Sequence, residues 1–260
     1  MKKLLIVAAF SALCAAQSFA QISFGVRGNF GASFFSITED EEHKLGNSLA
    51  TLLQNELSEY NPTMSYEVSN KSQGTGGFSL WANYALENVA SGLGVQAELG
   101  FLFNNGTKIS ASTTATASGV TAKMDADIEM SYTTLELPVL VTYTFNKGGR
   151  FEITPCAGFY LAFPLGKMKM DISASGEASA LGGLYKQEIP EESQSEEYKI
   201  DTACLVGTAF GVDFAVNFGE HIAGTFGGRY MIDFNKLKVD GDEVARRNAL
   251  MFSAGLRYRM

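Results

Sequence analysis

The sequence predicts an all-β chain, folded as an eight-stranded antiparallel up-and-down transmembrane β-barrel with long external loops. Three observations carry that prediction. Apolar and polar residues alternate with period two over eight stretches. The polar members are mostly Gly, Ala, Ser, Thr and Asn, while the apolar members form wide, aromatic-rich faces. The connections are by turns long and short, as in outer-membrane barrels with tight periplasmic turns and long external loops.

Residues 1–20, MKKLLIVAAFSALCAAQSFA, read as a signal peptide. Lys2 and Lys3 form a positive start, Leu4 to Cys14 an apolar run too short to span, and Ser18-Phe19-Ala20 a small-residue cleavage site. A lipoprotein signal ending at Cys14 is disfavoured by bulky Leu13. Residues 21–260 then form the barrel domain, and loss of the two Lys takes the formal charge from −8 to −10.

The first strand is expected at about 22–36, with Ile22, Phe24, Val26, Phe30 and Phe34 on one face and Arg27, Asn29, Gly31 and Ser33 on the other. The second spans about 76–87. The third, about 92–104, sets Leu93, Val95, Ala97, Leu99, Phe101 and Phe103 against Gly94, Gln96, Glu98 and Gly100. The fourth, about 123–145, changes phase: Met124 to Tyr132 follow one parity, Leu135 to Phe145 the other. A bulge near Thr133-Thr134 reconciles them. The remaining strands fall at about 150–165, 201–218, 221–235 and 248–260. The long connections are about 37–75, 105–122 and 166–200, and 236–247 is of medium length. Ala111 to Ala122 reads as flexible or as a hairpin extension beyond the membrane. Cys156 and Cys204 fall at opposite ends of neighbouring strands and are expected to stay unpaired.

A soluble lipocalin-like barrel carries Lys- and Glu-rich faces in water, whereas here the charges concentrate in Glu39 to Lys44 and Lys186 to Lys199. Aromatic belts are expected at Tyr84, Tyr143, Phe145, Phe151, Phe218 and Tyr258 on one rim. On the other rim the candidates are Phe34, Phe78, Phe103, Tyr132, Phe163 and Phe234.

The segment Tyr132-Thr-Thr-Leu-Glu-Leu-Pro-Val-Leu-Val-Thr-Tyr-Thr-Phe145 resembles the fourth-strand signature of the PorT-like outer-membrane β-barrel domain family. Phe151 to Leu165 is similar to that family's fifth strand, and Gly94-Val-Gln-Ala-Glu-Leu-Gly-Phe also fits. The ending Ala254-Gly-Leu-Arg-Tyr-Arg-Met260 departs from the usual terminal aromatic. The resemblance implies fold and location, and no single activity.

Parity places Arg27, Glu98, Glu136, Glu152, Asp213, Arg229 and Arg257 in the lumen. An eight-stranded interior is just wide enough for side chains to fill it. These charges are therefore expected to pair and close the lumen, since an unpaired buried charge costs several kcal/mol. The rival is a narrow solute path lined by the same residues. Leu45, Leu49, Leu52, Leu53 and Leu57 are spaced as one helical face in the first long loop. That face predicts a helix capping the mouth; its alternatives are a ligand lid and a partner-binding helix.

The expected function is non-enzymatic, structural or surface-interacting. The alternatives are a small-solute or hydrophobic-molecule transporter, a secreted lipocalin-like carrier, and a hydrolase using His43 or His221, of which the first falls in a long loop and the second at a tight turn on the opposite rim. No cofactor or metal is expected: two His and three Cys leave little to ligate one, and the clustered carboxylates of 191–197 match no calcium loop. Expected partners are outer-membrane lipids, the barrel-assembly machinery and an extracellular partner or small molecule. Nucleic acid is disfavoured by the net charge of −8.

Overall fold

The structure, a computed structural model, describes residues 22–36, 63–117, 120–180 and 185–260. It has eleven strands: β1 (Ile22–Ser36), β2 (Thr63–Ala85), β3 (Leu93–Ala117), β4 (Val120–Tyr143), β5 (Phe151–Ala180), β6 (Tyr185–Lys199), β7 (Leu205–Asn217), β8 (Ile222–Asp233), β9 (Lys238–Val239), β10 (Asp242–Glu243) and β11 (Arg246–Arg259). Eight of them close a ring in the order β1-β2-β3-β4-β5-β7-β8-β11, with β11 returning to β1. Every pairing in the ring is antiparallel, and apart from the β11–β1 closure each joins strands that follow one another in the ring's chain order, as in an up-and-down barrel. Closure satisfies the backbone groups that an open edge leaves bare in lipid.

β5 divides its pairing. Phe151–Ala162 lies against β7, and Lys167–Ala180 lies against β6. Gly166, at φ 74, marks the change. Beyond it, β2 to β6 continue as a five-stranded sheet past the loop end of the ring. The 13 residues of β3 from Asn105 to Ala117 alone reach ~40 Å at ~3.3 Å per residue. Strand therefore replaces much of the loop expected at 105–122 and 166–200. Ser, Thr, Ala and Gly dominate 105–122, which carries little apolar alternation, whereas 167–172 alternates through Met168, Met170 and Ile172 before small residues (173–180) and a charged strand (185–199) take over.

The outer face of the ring is an apolar band. Phe30 is 59% exposed, Phe78 56% and Phe252 46%, and their neighbours along the wall are Phe24, Val26, Leu80, Leu99, Val139, Val141, Phe210, Phe226 and Leu256. Rings stack across strands at Phe30–Phe252 (5.9 Å), Phe78–Phe101 (5.9 Å) and Phe214–Phe226 (5.1 Å). A continuous apolar surface of this kind suits lipid and would be costly in water. At the turn end, Tyr143, Phe145, Phe151, Phe218 and Tyr258 are exposed and Tyr84 is half-buried. At the loop end, Phe78, Phe103 and Phe234 are exposed, while Phe34 and Phe163 are half-buried.

Tyr132 does not belong to that rim. It is 3% exposed and lies in the interior beside Phe35, ring centroids 6.3 Å apart. Met130, Tyr132, Thr134, Glu136, Leu140 and Thr142 are all buried, so even-numbered residues of β4 face inward along its length. The β4–β5 ladder is irregular between Ser131 and Thr133, close to the expected bulge, but the strand does not flip. What inverts is the environment. In the band, lipid lies outside and charges lie inside. Beyond it, water lies outside and the apolar side turns inward.

That inward apolar side forms a core at the loop end. Phe35, Ile109, Met130, Tyr132, Met168, Leu237 and Val239 belong to one buried cluster, and Val68, Ile128 and Met170 pack against it. The β9–β10 hairpin, turned through Asp240 and Gly241 at positive φ, carries Leu237, Val239 and Ala245 into this core. Cys156 and Cys204 are both unpaired. Leu45, Leu49, Leu52, Leu53, Leu57 and His43, like residues 1–21, lie outside the described residues.

Candidate functional site

The interior of the ring carries its charges in three groups, stacked from the turn end to the loop end. The middle group is a ring of two guanidiniums and two carboxylates in alternation. Arg27, from β1, lies 3.2 Å from Glu98 of β3 and 3.3 Å from Asp213 of β7. Arg229, from β8, lies 2.6 Å from the same Glu98 and 2.9 Å from the same Asp213. Gln96 donates to Glu98 at 2.6 Å. Each of the four strands places its charge in this group from the inward-facing set of its alternating residues.

Small residues beside these side chains make room for them. A Cβ on Gly227 would lie 2.1 Å from Asp213 Oδ1, and one on Gly211 would lie 2.7 Å from Arg229 Cγ. Both glycines sit on strands next to the group they accommodate.

The group at the turn end centres on Glu152 of β5. Arg257 approaches it to 2.7 Å and Arg259 to 2.8 Å, both from β11. The Gly148 amide donates to it at 2.6 Å and Asn217 at 3.2 Å. The group towards the loop end centres on Arg247 of β11, which is 1% exposed. It lies 2.8 Å from Glu136 of β4 and 3.5 Å from Asp233 of β8, and donates to Asn105 at 2.9 Å. Tyr160 donates to Asp233, and its ring lies 5.9 Å from the Arg247 guanidinium.

The structure brings together Arg27, Glu98, Asp213 and Arg229. It keeps Glu152 with Arg257 in a second group and Glu136 in a third. The seven residues expected from parity are all on the interior side, but they do not make one network. Three members lie outside those seven. Arg259 shares the polar face of the last strand with Arg257, and Asp233 shares parity with Arg229, so both continue the alternation. Arg247 shares it too, but the strand expected from 248 left it in the loop.

Little space remains between the groups among the described residues. A cavity of ≈50 Å³ lies between the middle group and the turn end, and one of ≈40 Å³ between Glu98, Glu136 and Arg229. A water needs about 10–15 Å³ on this measure, so each cavity holds about three to five waters. Above them lies the apolar core of the mouth. His221 sits apart on the turn-end rim, its Nδ1 3.0 Å from the Arg259 carbonyl oxygen and its ring 5.8 Å from Tyr258.

The model of the outer membrane protein beta-barrel domain matches residues 5–259. A search of curated proteins gave no match. Among solved structures, the outer membrane protein OprG from Pseudomonas aeruginosa is similar at 13% identity and a TM-score of 0.41, over 92% of this chain and 95% of that one. Neisserial surface protein A is similar at 12% identity and a TM-score of 0.35, over 91% and 97%. The attachment invasion locus protein Ail of Yersinia pestis is similar at 13% identity and a TM-score of 0.30, over 93% and 97%. The chain belongs to the outer membrane protein β-barrel domain family. Its apolar band is accordingly the outer-membrane face.

Proposed function

We propose that this chain is a non-enzymatic barrel with a closed lumen, which holds the extended β2–β6 sheet outside the cell as an interaction surface. One observation carries the reading: three groups of paired charges and an apolar core fill the axis of the ring, leaving cavities of ≈50 and ≈40 Å³. A path for sugars or hydrophobic molecules needs far more room than a few waters occupy.

The sheet outside the membrane supports the second half of the proposal. Its outer face is studded with exposed lysine–carboxylate pairs, among them Lys108–Asp127 (3.1 Å), Lys169–Asp171 (2.7 Å) and Lys186–Glu177 (3.0 Å). Such pairs contribute little stability. They do present a firm, mixed-charge surface on a backbone anchored by the apolar core. Within the family, the Tyr132–Phe145 segment supports a place beside the PorT-like barrels. The signal peptide of residues 1–20 is part of the same reading, as the route to the periplasm.

The test compares two variants in a strain lacking the native chain. One replaces residues 107–130 of the β3–β4 hairpin by a short turn. The other is Arg229→Lys, which keeps the lumen charge. An interaction role predicts that only the trimmed hairpin fails to restore the wild-type phenotype, at equal surface abundance. Full complementation by the trimmed chain would overturn the proposal.

A further inference from the structure

The turn end of the lumen has a charge imbalance and unused donors in the same place. We infer that the cavity there binds one small monovalent anion, of the size of a halide or formate. The ≈50 Å³ cavity is lined by Arg27, Trp81, Lys147, Arg257 and Arg259, with Asp213 as its one acidic wall residue.

The charge count around it leaves a surplus. Asp213 and Glu98 together balance Arg27 and Arg229. Glu87 pairs with Lys147 at the rim. Glu152 alone faces both Arg257 and Arg259. One positive charge therefore lacks a counterion among the described residues. Inside a barrel wall, where water is scarce, that charge attracts an anion more strongly than it does at an open surface.

The donors point to the same occupant. Trp81 Nε1 and Arg27 Nε are buried and find no hydrogen-bond acceptor among the described residues. Trp81 is 7% exposed, and the Arg27 guanidinium lies 5.2 Å from its ring centroid. The indole is held in place over Gly25, where a Cβ would lie 2.2 Å from the ring. Buried N–H groups without acceptors are costly, so an occupant with acceptor capacity is favoured. Water supplies the acceptor but leaves the charge, whereas a small anion supplies both. The volume selects the class: it admits a halide or formate and excludes a sugar, a nucleotide or a peptide.

Trp81 is the only tryptophan of the chain, so its emission reports on this cavity alone. The experiment titrates the folded barrel in detergent with sodium iodide, a quencher. Ionic strength is held constant with sodium gluconate, whose anion is too large for the cavity. The expected result is saturable quenching that chloride or formate reverses by competition in the wild-type protein. Arg259→Gln removes the surplus positive charge and should raise the half-saturating iodide about tenfold. Quenching that rises linearly without saturation would overturn the inference, as would saturation that neither chloride nor formate competes. The competition arm uses the unaltered protein and does not depend on the variant folding.

Discussion

Replacing Arg229 by Met removes a buried charge while keeping most of its volume. Arg229 donates to Glu98 at 2.6 Å and to Asp213 at 2.9 Å, and its side chain is 10% exposed. Without it, two carboxylates share Arg27, and the middle group acquires a net charge of −1. Breaking a buried pair from one side costs about 3–5 kcal/mol, because the remaining charge keeps its desolvation penalty. Asp213→Asn in the same background removes the surplus carboxylate and leaves Arg27 paired with Glu98. The double variant should therefore be more stable than the sum of the single effects predicts, by ~1.5 kcal/mol or more. Urea unfolding of the barrel in lipid vesicles, followed by Trp81 emission, gives the three free energies. A cost below ~0.5 kcal/mol for Arg229→Met, or strict additivity of the pair, would refute the alternating ring.

Gly227→Ala should destabilise by about 1–3 kcal/mol, since its Cβ would lie 2.1 Å from Asp213 Oδ1 and 2.8 Å from the Val212 carbonyl oxygen. Gly219→Ala, with open space around its Cβ, should be neutral in the same unfolding assay. Leu99→Arg, on the lipid face beside the middle group, should cost ~2–4 kcal/mol in vesicles, and an unchanged midpoint would place the band elsewhere. Acid should loosen the outer sheet. Asp127 is held below its ordinary 3.8 by a hydrogen bond from Ser110 and, against partial desolvation, by Lys108. Asp171 is held below the same value by Lys169 and Ser195. A carboxylate depressed on folding adds stability above its unfolded pKa and loses it as the pH falls through the folded one. Hydrogen exchange, corrected for intrinsic rates, should therefore show residues 105–131 and 167–180 losing protection below about pH 4. Protection that rises on acidification would contradict the sign.

Much of this molecule is written in its alternation. The interior positions of Arg27, Glu98, Asp213 and Arg229 follow from period two, because a strand in a closed wall has only two sides. Tyr132 shows where that rule needs its environment. Its parity with Ile128 and Met130 is real, but the apolar side faces lipid only within the band and faces inward beyond it. Past Asn105, β3 carries mostly Ser, Thr, Ala and Gly, which pack small or sit in water and leave little hydropathy signal; past Gly166 only Met168, Met170 and Ile172 alternate before small and charged residues take over. Arg247 was lost for a narrower reason: a boundary drawn one residue late put a fully buried charge in a loop. The balance of the three charge groups was out of reach of the sequence, since which carboxylate meets which guanidinium depends on the stagger of neighbouring strands.

The central claim is that the lumen is closed. Single-channel recording of the folded protein in a planar lipid bilayer tests it most directly. The account predicts a silent membrane from protein that is verified as inserted and folded. Discrete, reproducible conductance steps would contradict it and would assign the charged interior to a solute path.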